Sequence, residues 1–139
     1  MGNLAQLFET GEQTSQKGHF RNLVLIARHD GNILTSESNL LMSLANKLSL
    51  TKEQIKEIID HPEEYPAIPP YSAEERHERF VQLIQMGLID GIMTAEEEKF
   101  IRKLAISIGL TEDWIQSHLK MIIEKLQKGI KRDEILASL

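Results

Sequence analysis

Residues 20–55 of this chain align with residues 80–115 at a constant offset of sixty and without a gap. Ten of those 36 positions are identical: Phe20/Phe80, Leu23/Leu83, Asp30/Asp90, Gly31/Gly91, Glu37/Glu97, Leu44/Leu104, Ala45/Ala105, Leu50/Leu110, Thr51/Thr111 and Ile55/Ile115. Unrelated segments of that length would share about two. Other pairs exchange like for like, among them Val24/Ile84, Ile33/Met93, Leu40/Phe100, Leu41/Ile101 and Leu48/Ile108. A segment written twice is expected to form the same local structure twice, so one reading of its pattern serves for most of the chain.

That pattern is helical. Phe20, Leu23, Val24 and Ala27, like Phe80, Leu83, Ile84 and Gly87, fall at i, i+3, i+4 and i+7. After an Asp-Gly turn come Leu40, Leu41, Leu44, Ala45 and Leu48, matched by Phe100, Ile101, Leu104, Ala105 and Ile108. These spacings put a wide apolar stripe on one face of each helix. Leu50-Thr51 and Leu110-Thr111 close the copies, and each Thr can N-cap a third helix. Helices are expected near residues 3–13, 16–28, 36–48, 52–60, 73–87, 95–108, 112–127 and 131–138. Ser72-Ala73-Glu74-Glu75 carries a capping-box signature, and Gly129 suits the close of a helix ending at Lys128. No period-two alternation runs long enough for a strand. The expected fold is all-α: one compact domain over residues 1–139, of about seven to eight helices, with an internal pseudo-two-fold repeat and a core over roughly 16–127.

Between the copies lies DHPEEYPAIPPYS, residues 60–72, which holds all four prolines. Proline lacks an amide donor and restricts the residue before it, so this stretch is an ordered irregular connection. It reads either as a rigid crossover that returns the chain to begin the second copy, or as a partner-binding loop built on Tyr65 and Tyr71.

Composition narrows the possible partners. The formal charge is −5, and no basic stripe is dense enough to neutralise a phosphate backbone, so nucleic acid is not an expected partner. With no cysteine there is neither a disulfide nor a thiolate zinc site. The longest apolar run, Leu23–Ala27, is far too short to cross a bilayer. MGNLAQLF lacks the basic and apolar regions of a signal peptide, and Gln6 stands where a myristoylation signal wants Ser or Thr. A soluble, cytoplasmic protein is expected.

The two Asp-Gly loops are the candidate chemistry. Aligned on glycine, each matches the second half of a calcium-binding EF-hand loop: Asp30 or Asp90, then Gly31 or Gly91, an apolar Ile33 or Met93, and Glu37 or Glu97. The first half fails, because Ile26 and Arg28, or Met86 and Leu88, stand where ligands are needed. Calcium wants six to eight oxygens, so neither loop is a closed site by itself. The alternative is helix capping. Thr94-Ala95-Glu96-Glu97 is a capping box, Glu37 favours the dipole of the helix it opens, and Asp-Gly needs no ligand to turn. A divalent cation of unidentified type held jointly at Asp30, Glu37, Asp90 and Glu97 is the third possibility.

Asp-Gly-x-[apolar]-x-x-x-Glu, repeated sixty residues apart between amphipathic helices, resembles the tellurite-resistance TerB-like family over roughly residues 16–127. The resemblance implies a compact all-helical domain with pseudo-two-fold halves, an association with tellurite resistance and stress responses, and a metal-linked role carried by Asp30, Glu37, Asp90 and Glu97. It implies no catalytic activity. His29 and Ile89, before the Asp of each loop, depart from the small residues usual there.

Two functional expectations follow. One is a non-enzymatic interaction module that binds a protein partner or itself, tuned by a cation at the acidic loops. The other is a metal-dependent phosphohydrolase using the His29-Asp30 pair, which would need a further upstream histidine and an aspartate from another helix. His19, only ten residues earlier, and His61 and His77, downstream, do not supply that spacing. Elsewhere, His118 reads as an edge histidine, Trp114 as a core or interface plug, Met42, Met86, Met93 and Met121 as core fillers, and Glu74, Glu75, Arg76, Glu78 and Arg79 as a solvated helix start.

Overall fold

The computed structural model describes residues 11–28, 35–89 and 91–139. Every element it assigns there is helical: α1 (Gly11–Ala27), α2 (Thr35–Lys47), α3 (Lys52–Asp60), a 3₁₀ turn (Pro62–Glu64), α4 (Ala73–Gly87), α5 (Ala95–Ser107), α6 (Glu112–Gln127) and α7 (Arg132–Ala137). The all-α expectation holds, with ends within two residues of the sequence reading from α2 onward. The first helix differs. It begins at Gly11 rather than near residue 16, so residues 11–13 belong to α1; the rest of the helix expected near 3–13 lies outside the described residues. No proline or left-handed glycine interrupts the polar turn before Phe20, and Ser15 and Lys17 within it are buried.

Two helices organise the core. α1 and α4 pack on each other; α2 and α3 lie on α1, while α5, α6 and α7 lie on α4, and α5 also reaches α1. Their facing stripes, Phe20, Leu23 and Val24 against Phe80, Leu83 and Ile84, are wholly buried. Leu41, Leu44 and Ala45 of α2 are buried, as are Ile101, Leu104 and Ala105 of α5. Each fully buried Leu, Ile or Phe contributes roughly 1.5–3 kcal/mol of transfer free energy, so these helices are held by their buried faces more than by intrinsic propensity.

The Leu-Thr step now has a local explanation. After α2 the Ser49 N–H donates to the Asn46 carbonyl (3.1 Å) and Leu50 N–H to that of Ala45 (3.1 Å). After α5 the Gly109 N–H donates to Ile106 (3.0 Å) and Leu110 N–H to Ala105 (3.2 Å). Both are Schellman closures, in which the leucine follows the left-handed residue. The next residue, Thr51 or Thr111, then accepts from the amide of Gln54 or Trp114 and caps the following helix. One dipeptide ends a helix and starts another. Gly129, at φ 81°, closes α6 in the same way.

The proline segment is pinned to the body. Arg76 Nε donates to the Pro70 carbonyl (2.9 Å), Ser15 Oγ to that of Ile68 (2.9 Å) and Arg21 Nε to that of Pro62 (3.3 Å). Gly18 lies so close that a Cβ there would stand 2.2 Å from the Pro66 carbonyl oxygen. Two side chains depart from the sequence reading. Arg79 is buried rather than solvated, because it turns inward to Ser15, and Met42 is 46% exposed rather than filling the core.

Candidate functional site

Of the four acidic residues singled out from sequence, Glu37 and Glu97 are described, while Asp30 and Asp90 lie outside the described residues, as does His29. Glu37 is half-buried in the first turn of α2. Glu97 closes a capping box: Thr94 N–H donates to Glu97 Oε1 (3.1 Å), and Glu97 N–H donates to Thr94 Oγ1 (3.1 Å). That exchange satisfies two orphan amides and sets a negative charge at the positive end of the helix dipole. Ser72 makes the corresponding bond to the Glu75 amide at the start of α4. Among the described residues no three His, Asp or Glu side chains come together as a metal-binding group.

A polar layer that the sequence reading passed over joins α1 to α4. His19, 1% exposed, donates from Nε2 to Gln82 Oε1 (2.6 Å). Gln82 Nε2 reaches Glu78 Oε1 (3.4 Å), and that same oxygen pairs with Lys47 Nζ of α2 (2.9 Å). A carboxylate can only accept, so the chain fixes the amide orientation of Gln82 and places the imidazole proton on Nε2. The other ring nitrogen, Nδ1, is buried with no hydrogen-bond partner. Burial, first of all, and then the nearby Arg79 push the His19 pKa down to about 3 against the opposing bond to Gln82, so His19 is neutral at ordinary pH. Beside it, Arg79 Nη1 donates to Ser15 Oγ (2.7 Å) and to the Ser15 carbonyl (3.3 Å). The signal was legible in principle: Ser15, His19 and Asn22 sit at i, i+4 and i+7, beside the apolar stripe.

Trp114 is the centre of a ring cluster. His77 of α4 (centroids 4.5 Å, planes 10° apart) and His118 of α6 (4.1 Å, 16°) both stack on it, and Phe80 meets it at an edge-type angle. His118 Nδ1 donates to the Trp114 carbonyl (2.7 Å). Three rings of the chain pack on the indole, which agrees with a packing role. Burial, then His118 and Arg76, hold the His77 pKa below the usual histidine value, against a raising effect of Glu74.

The proline segment carries one of the exposed apolar surfaces. Tyr65 is buried (7% exposed), whereas Tyr71 is fully exposed. Next to Tyr71, a cleft of about 390 Å³ is walled by Ile68, Pro69 and Pro70, with Ser15, Glu75 and Arg79 along its other side. That volume falls within the range of ligand-binding clefts. Of the two tyrosines proposed from sequence for a partner loop, one belongs to the core and one to the surface. No helix among the described residues is long and apolar enough to cross a membrane. Comparison with protein-family models, with curated proteins and with solved structures gives no match.

Proposed function

We propose that this chain is a non-enzymatic helical interaction module of the tellurite-resistance, TerB-like kind, stress-associated and cytoplasmic, with a duplicated helix-turn-helix body. The observation that carries the reading is Tyr71: an aromatic side chain fully exposed on a backbone held by Arg76 and Ser15, beside an apolar cleft. An exposed ring offers apolar area to a partner, and a rigid mount lowers the entropy lost when it is covered. The equal offset of α2 from α5, and of the two Schellman-to-Thr steps, supports the duplication. We further assign to Asp30, Glu37, Asp90 and Glu97 the loose binding of a divalent cation that tunes the module; the resemblance supports this, and the capping bonds of Glu97 leave its second carboxylate oxygen for such a role.

The test is in-cell photo-cross-linking from position 71, with position 120 on the exposed side of α6 as control. A discrete adduct formed from 71 and absent from 120 is expected; equal labelling from both would sink the reading. For the cation, calcium, magnesium or zinc titrated into labelled protein is expected to shift the amides of 30–37 and 90–97 together. No shift at millimolar metal removes the cation and leaves the module.

A further inference from the structure

We infer that the partner of the proline segment is a second copy of this chain, the segment of one copy seating on the outer face of α5 in another; this rests on the interaction-module reading and names its partner. The two surfaces are complementary in shape and in charge. Proline rings lock φ at Pro66, Pro69 and Pro70, and a following proline confines Ile68 and Pro69 to extended backbone. A polyproline helix has three residues per turn, so 66 shares an edge with 69, and 67 with 70. The burial follows that period: Pro66 and Pro69 are exposed, Ala67 is half-buried and Pro70 is buried. The result is a stiff ridge with two prolines along its crest and Tyr71 at its end. Exposed Glu63, Glu74 and Glu75 flank it with negative charge.

On α5, Glu96, Lys99, Phe100 and Lys103 enclose a shallow concavity of about 470 Å³. Phe100 is its half-buried aromatic floor, and Lys99 and Lys103 are exposed at its rim. Ile106, 46% exposed, extends the same face by one turn. Aromatic side chains are what proline ridges dock against, and lysines at the rim meet a ridge flanked by glutamates. A lysine can also lie over the Tyr71 ring. The chain carries a net charge of −5, so two copies approach favourably only where their local fields are opposite, as they are here. Ser15 and Arg76 tie the ridge to its own body, where Pro69 lies against Gly109 just past the end of α5, so the outer face of α5 that the ridge meets is that of another copy.

Sedimentation velocity of the full chain, up to about 1 mM, tests this against itself. The wild type is expected to associate with rising concentration. Tyr71→Glu, which spoils the ridge, and Lys99→Glu/Lys103→Glu, which spoils the groove, each change only exposed positions and are each expected to raise the dissociation constant at least tenfold, with unchanged melting temperature. Mixed, the two variants recover association, because one still has its groove and the other its ridge. A wild type that stays monomeric, association indifferent to both variants, or a mixture that stays monomeric each overturns the inference. A foreign protein cross-linked at position 71 alongside a monomeric wild type would keep the module reading and discard this one.

Discussion

At the scale of single residues, His19 shows how a titratable group becomes structural. Its ring is enclosed between α1 and α4, one nitrogen bound to Gln82 and the other without a partner. Protonation would place a charge where no water can reach and where Arg79 is already positive. The folded pKa of about 3 lies below the unfolded value of 6.5, so the unfolded chain binds the proton first. The contribution of His19 is therefore complete above pH 6.5 and is lost as pH falls towards 3, at up to about 1.4 kcal/mol per pH unit. His19→Gln keeps a donor for Gln82 but cannot titrate. Urea midpoints measured from pH 7 to pH 4 are expected to fall less steeply in that variant than in the wild type; equal slopes would show that other groups govern the acid response.

At the scale of elements, the two Schellman closures differ in one informative way. Gly109 takes φ 102° at no steric cost, while its counterpart Ser49 takes φ 60° with a Cβ in place. Ser49→Gly is expected to stabilise the protein by about 0.5–1 kcal/mol, read from chemical denaturation, because relief of left-handed strain outweighs the added freedom of the unfolded chain. Helix limits were legible in sequence at this scale. Thr51, Ser72, Thr94 and Thr111 cap where their spacing said they would, since a cap is decided by a few neighbouring residues. The start of α1 was less legible: Ser15 is buried through distant partners, the Ile68 carbonyl of the proline segment and Arg79 of α4. The inward turn of Arg79 has the same cause, because its acceptors on Ser15 lie 64 residues away.

At the scale of the whole molecule, the crossover is a fastener as well as a connection. It touches α1 through Ser15, Gly18 and Arg21, and α4 through Arg76, so it ties the two central helices from outside. Gly18 is the closest approach, and the atom in the way is backbone rather than a flexible side-chain end. Gly18→Ala is expected to cost about 3 kcal/mol, against the gain of about 1 kcal/mol it would bring in a free helix. A melting temperature that rose instead would mean that the crossover yields easily and does not brace the fold.

The sequence alone determined the helical class, the limits of the helices from α2 onward and the caps at Thr51, Ser72, Thr94 and Thr111, because each depends on apolar spacing and on neighbours within a few residues. It also singled out the proline segment as ordered. Only the tertiary structure decided that Tyr65 is covered and Tyr71 is bare, that His19 is neutral inside a polar layer, and that Trp114 stacks with two imidazoles. Burial of this kind depends on which distant surface arrives to cover a side chain, and no local spacing encodes that.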